Sequence, residues 1–334
     1  MRETIGKLNI CVDEKIELLS VVQYLSNYGE QYPFLVTIEE NLYTRKVDEY
    51  FKHIKKYDVI SKFEELSNNG FDFHVPIKFI LHLSENFNIR IPFDNEILER
   101  GSGAVELESF IRLLKSVNNS CDFNKFFIEN QIFYNELVNK FINIIGDFDY
   151  IKILEEYFGE SKKSYSLIIV PLFSQGNFAV NVKENDKEEN IYAILAGFHI
   201  EDMLTRELII NLIWHEFSHS FVNKLADVFE EEVFNLDIYF KSMDKYIGKT
   251  PYNELKYFLG ELIVRAVTIR LINKNISEDL ANEFIKKDKE FGFIHIEELS
   301  NKLKEYEENR HKYKEFKSFY KEILLFLRSL PKIN

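Results

Sequence analysis

Two histidines four residues apart, with a glutamate directly after the first, are the chemically densest point of the chain: Asn211-Leu-Ile-Trp-His215-Glu216-Phe-Ser-His219-Ser-Phe-Val222. On a helix, positions i and i+4 share a face, so His215 and His219 can reach one cation. Glu216 then stands beside the open side of that ion. A zinc held by two imidazoles and a carboxylate keeps a fourth position for water, with the neighbouring glutamate as general base. The chemistry this spacing points to is metal-assisted hydrolysis. Leu212, Ile213, Phe217, Ser218, Ser220 and Phe221 carry no charge, as a helix packed inside a protein requires, because an unpaired buried charge is costly. The plain alternative is a helix whose two histidines are merely satisfied polar groups.

A catalytic zinc needs a third protein ligand from another element. Most downstream carboxylates sit in charge runs such as Glu230-Glu231-Glu232. Glu261 stands apart, in Tyr257-Phe-Leu-Gly-Glu261-Leu-Ile-Val-Arg265-Ala-Val-Thr-Ile269. A carboxylate in an otherwise apolar helix needs a strong partner. That partner is either the metal or simply Arg265, one turn later on the same face; Glu254 is the fallback ligand. A histidine pair on one helix and a glutamate on a later one is the gluzincin arrangement. The metzincin pattern is absent, because Val222 stands where its glycine would be. The proposed chemistry also needs a donor for the oxyanion. Tyr257, Tyr252, Arg265 and His295 are the candidates, although a histidine in the setting of His295 is more often a packed core residue than a catalytic one. Asn223, one turn past His219, is placed to hold a ligand from behind.

The elements that must position these groups follow from periodicity. The first half reads as helices: 13–26 with Ile16, Leu19, Val22 and Leu25 on one side, then 47–66, 75–87, 105–117, and 123–145 as one long helix or two short ones. Gly101-Ser-Gly103 is a turn, too short and isolated for a phosphate loop. Strand composition appears at 166–173, 178–182 and 191–195, giving a small antiparallel sheet at 165–197. The strand 178–182 is a possible edge for an extended peptide to pair with. The metal helix is expected over 204–226, another helix over 228–246, the third-ligand helix over 251–273, and a charged helical tail over 277–330. The fold class expected is therefore α+β, predominantly helical. A helical N-terminal region (1–155) precedes a catalytic region (156–334) that holds the sheet.

Composition narrows the partners. The 334 residues are 46% hydrophobic with 6 prolines, enough for a sizeable core and against disorder. A net charge of −13 argues against nucleic acid and gives no pull toward an anionic membrane. It also sets a weak expectation that basic or neutral peptides are favoured over acidic ones. Cys11 and Cys121 are far apart and outside any CxxC pattern, so a reducing compartment is expected. With no signal peptide or membrane span visible, the expected location is cytoplasmic. The sequence does not indicate an oligomeric state.

The chain resembles a bacterial zincin-like family known as a domain of unknown function. The resemblance runs over nearly the whole chain and is strongest at His215-Glu-Phe-Ser-His-Ser-Phe-Val-Asn223 and Glu261-Leu-Ile-Val-Arg-Ala266. It implies a gluzincin-like zinc metallopeptidase with His215, His219 and Glu261 as Zn2+ ligands, Glu216 catalytic, and a peptide or protein substrate. Two other functions remain open: a zincin-like binding or regulatory module with little hydrolysis, and a metal-dependent hydrolase of a non-peptide amide.

Overall fold

The computed structural model describes residues 2–53, 57–185, 188–197, 205–248, 250–252 and 254–331. The chain is predominantly helical, with one five-stranded sheet. It divides into two compact units: residues 1–148 with 162–206, and residues 149–161 with 207–334. A single cut at 155/156, expected from the change in texture along the sequence, separates neither. The sheet groups with the N-terminal helices rather than with the metal helix. The reason is an N-terminal hairpin, β1 (Arg2–Ile5) and β2 (Leu8–Cys11), that joins the sheet through β3 (Ser164–Val170).

The sheet order is β1-β2-β3-β5-β4, with β4 over Phe178–Lys183 and β5 over Glu189–Ala196. It is mixed, which corrects the expected antiparallel arrangement. The outer pairs β1–β2 and β4–β5 are antiparallel, whereas β2–β3 and β3–β5 are parallel. Burial explains the order. β3 is buried from Tyr165 to Val170 and β5 at five of its eight positions, so each needs a neighbour on both sides. β4 buries only Val180 and Val182, the alternation of an edge strand. The chain therefore inserts β5 between β3 and its own hairpin partner, and this sets β5 parallel to β3.

The first unit's helices include α1 (Glu14–Leu25), α2 (Leu42–Phe51), α3 (Asp58–Asn68), α4 (Val75–Leu81), α5 (Ala104–Ser120), α6 (Phe123–Glu129) and α7 (Gln131–Ile145). The expected span 47–66 is thus two helices, and 123–145 is likewise two. Asp13 caps α1 by accepting from the Lys15 and Ile16 amides. Phe63, Phe71, Phe79 and Phe110 are fully buried, with ring centroids 5.4–6.5 Å apart. Tilted and edge-to-face packing of this kind adds to the area they bury.

The second unit holds α8 (Tyr150–Phe158), α9 (Arg206–Val222), α10 (Leu255–Asn275), α11 (Glu278–Phe291), α12 (Ile296–Glu308) and α13 (Phe316–Ser329). Leu204, where the pattern opens the metal helix, lies outside the described residues. The helix expected over 228–246 is instead broken into short single-turn helices: Leu225–Val228, Glu230–Phe234, Asp237–Lys241 and Asp244–Ile247. Polar side chains there compete for backbone carbonyls. Asn235 Nδ2 donates to Glu231 O (2.9 Å) and Ser242 Oγ to Tyr239 O (2.7 Å). α8 anchors α9, because Trp214 Nε1 donates to Tyr150 O (3.1 Å) and Phe158 stacks on Phe221 at 4.3 Å. No described helix is long and apolar enough to cross a membrane.

Candidate metal centre

α9 is buried nearly all round, as a helix without a polar face must be. Its cleft side is an exception. Asn211, His215 and His219 are partly exposed and Asn223 is exposed, at i, i+4, i+8 and i+12 along one stripe. α10 is also mostly buried, and Glu261 (8% exposed) is the acidic group within its buried stretch.

These two helices bring three donor atoms together. His215 Nε2 and His219 Nε2 are 3.2 Å apart. Glu261 approaches His219 with Oε1 at 3.2 Å and His215 with Oε2 at 3.6 Å. With one donor atom taken from each residue, the three lie within 4.8 Å of one another, and the donor set of two imidazoles and a carboxylate fits a divalent cation of the zinc type. His215, His219 and Glu261 could therefore hold a metal ion. Glu254, the fallback ligand, is exposed ahead of the first turn of α10 and does not join the group.

The surrounding groups fix this geometry. His219 Nδ1 lies 3.1 Å from Asn223 Oδ1. A donated Nδ1–H there leaves the Nε2 lone pair facing the cluster. Asn223 has room because residue 260 is glycine: a Cβ at Gly260 would sit 3.1 Å from Asn223 Oδ1. Behind Glu261, Arg265 Nε approaches Oε2 at 3.3 Å, while its Nη1 donates to Asp288 Oδ1 at 2.6 Å. The guanidinium lies over the rings of Phe293 (4.7 Å) and Phe291 (5.5 Å).

Electrostatics follow from burial and these partners. Burial pushes the Glu216 carboxyl up to about 7, against the pull of His219. Burial lowers His215 to about 3. Burial also disfavours the charged forms of His219 and Glu261. Their mutual hydrogen bond and the opposite charges around them together outweigh it, raising His219 to about 9 and holding Glu261 near 2. No hydrogen bond among the described residues engages the Glu216 carboxyl. The charges that act on it are His219, Glu261 and Arg265, all of this site.

The remaining sequence candidates separate. Burial raises the Tyr252 hydroxyl to about 12. Glu261, Arg265 and Glu216 also act on it, which sets it beside the cluster. Tyr257 is 66% exposed. His295 is buried against Tyr239, with ring centroids 5.7 Å apart, and the charges acting on it are Glu298 and Lys289 rather than the cluster. Sequence reading missed Asp288, because it stands within the charged run Lys286-Lys-Asp-Lys-Glu290, which reads as a solvated face. The signal was Arg265 itself, a cation in an apolar helix that one carboxylate shared with a metal would not satisfy.

Residues 8–326 match the family described as Domain of unknown function (DUF4932), and the chain belongs to that family. Neither a curated protein nor a solved structure matches it.

Proposed function

We propose that this member of a family without an assigned activity is a zinc-dependent, gluzincin-like metallopeptidase. The observation that supports the reading is the convergence of His215, His219 and Glu261, with one donor atom of each within 4.8 Å of the others and Glu216 next in sequence to His215. A bound zinc would supply Lewis acidity, polarising a substrate carbonyl and acidifying a water. The chain's own groups do the rest. Glu216, buried and without a hydrogen bond among the described residues, takes the water's proton and returns it to the leaving amine. Tyr252, protonated at any physiological pH, donates to the developing oxyanion. Arg265 is a positioning residue, since its guanidinium is engaged by Glu261 and Asp288. Tyr257 and His295 have no part in this scheme.

The test compares wild type with Glu216→Gln. Both should take up about one zinc per chain by elemental analysis. Cleavage of a fluorogenic peptide library should fall by about 10²–10⁴-fold in the variant. No zinc uptake, or undiminished cleavage by Glu216→Gln, would reject the proposal. Zinc uptake with no cleavage by wild type would favour the binding-module reading.

A further inference from the structure

A pocket of about 280 Å³ opens beside His215, on the α11 side of the cleft. Its walls are aromatic and charged: Phe284 (8% exposed) and Phe291 (42% exposed), with Arg265, Asp288, Lys287 and Asn211. Arg265 and Asp288 are ion-paired and neutralise each other within it. Lys287 is different. It is exposed, no carboxylate pairs with it among the described residues, and its ammonium lies 5.5 Å from the Phe284 ring centroid. The side chain of Asn211, one turn before His215 on the same stripe, likewise makes no hydrogen bond among the described residues. The pocket thus offers one cation outside any ion pair among the described residues and one free side-chain amide beside Phe284 and Phe291.

We propose that this pocket selects a glutamate side chain flanking the bond that is cut, with its methylenes on Phe284 and Phe291 and its carboxylate met by Lys287 and Asn211. The inference rests on the peptidase reading and gives it a substrate class. It opposes the expectation from the net charge of −13. The local cation prevails because charges beyond about 8–10 Å are screened at physiological ionic strength.

The test measures equilibrium binding of fluorescent peptides differing only in a central Glu, Gln or Lys. The zinc-loaded Glu216→Gln protein serves as the reference, so that nothing is cleaved. Glu should bind more tightly than Gln by about fivefold, the scale of one partly exposed ion pair. Adding Lys287→Glu should invert the Glu-to-Lys preference, a swing of at least about tenfold. Asn211→Ala should weaken the Glu peptide and leave the Lys peptide unchanged. Equal affinities for all three peptides, or a preference untouched by Lys287→Glu, would overturn the pocket assignment. Zinc uptake and wild-type turnover are read separately, so a failed peptidase reading is distinguishable from a failed pocket.

Discussion

At the scale of single residues, the candidate centre is ordered by what stands behind each of its donor groups. Asn223 fixes one imidazole and Gly260 makes room for Asn223. Asn223→Ala should weaken zinc affinity by about 10–100-fold, as loss of an outer hydrogen bond to a ligating histidine does. Gly260→Ala should act in the same direction and by less, because the amide has only to shift. Competition titration with a chromogenic chelator reads both, and unchanged affinity in Asn223→Ala would remove its supporting role. The motif itself was plain in the sequence because its chemistry is local: two histidines and a glutamate within one helical turn. Glu261 was legible for a different reason, as a charge where the pattern demands an apolar residue. The proposed oxyanion donor was not legible. Tyr252 and Tyr257 are five residues apart in a polar stretch, and only the folded chain separates the half-buried Tyr252, on which Glu261 and Arg265 act, from the exposed Tyr257.

At the scale of elements, α10 and α11 are joined at the site by the Arg265–Asp288 pair. Removing Asp288 leaves the largely buried Arg265 with Glu261 alone, a loss of up to about 3 kcal/mol, the scale of breaking a buried pair. Asp288→Asn should therefore lower the denaturation midpoint clearly. The double change Arg265→Met, Asp288→Leu should recover most of that loss, since neither charge is then stranded. Zinc affinity separates the roles. If Arg265 positions Glu261, the double variant is stable yet binds zinc less tightly than wild type; equal affinity would reduce the pair to a structural bridge. The helical elements were largely readable, with α1 and α5 close to their expected spans. The N-terminal hairpin was not, although Leu8, Ile10 and Val12 alternate and are buried. A strand of four residues next to a polar one carries too short a pattern to stand out, and its partner β3 lies about 150 residues away in sequence.

At the scale of the whole molecule, one buried acid makes stability depend on pH away from the centre. Glu17 on α1 is fully buried, accepts from the Tyr43 hydroxyl, and leaves Oε2 without a partner among the described residues. Burial raises its carboxyl from the ordinary 4.5 to about 7. The fold therefore favours the protonated acid. Its contribution is fully present below about pH 4.5, declines as pH rises toward 7, and stays lost above. Glu17→Gln, which mimics the protonated form, should stabilise the protein at pH 8 by up to about 3 kcal/mol and change little near pH 4.5. Urea midpoints at the two pH values check this, and an equal shift at both would mean the effect is not proton-linked. The division into two units also has a consequence for biosynthesis. The chain passes from one unit to the other three times, at 148/149, 161/162 and 206/207. A nascent chain leaving the ribosome exposes its first hairpin long before β3 is translated, and α8 emerges ahead of Trp214 and Phe221, to which it anchors. The early segments must stay soluble and unpaired while translation continues, so neither half can be produced by stopping the chain at a single codon.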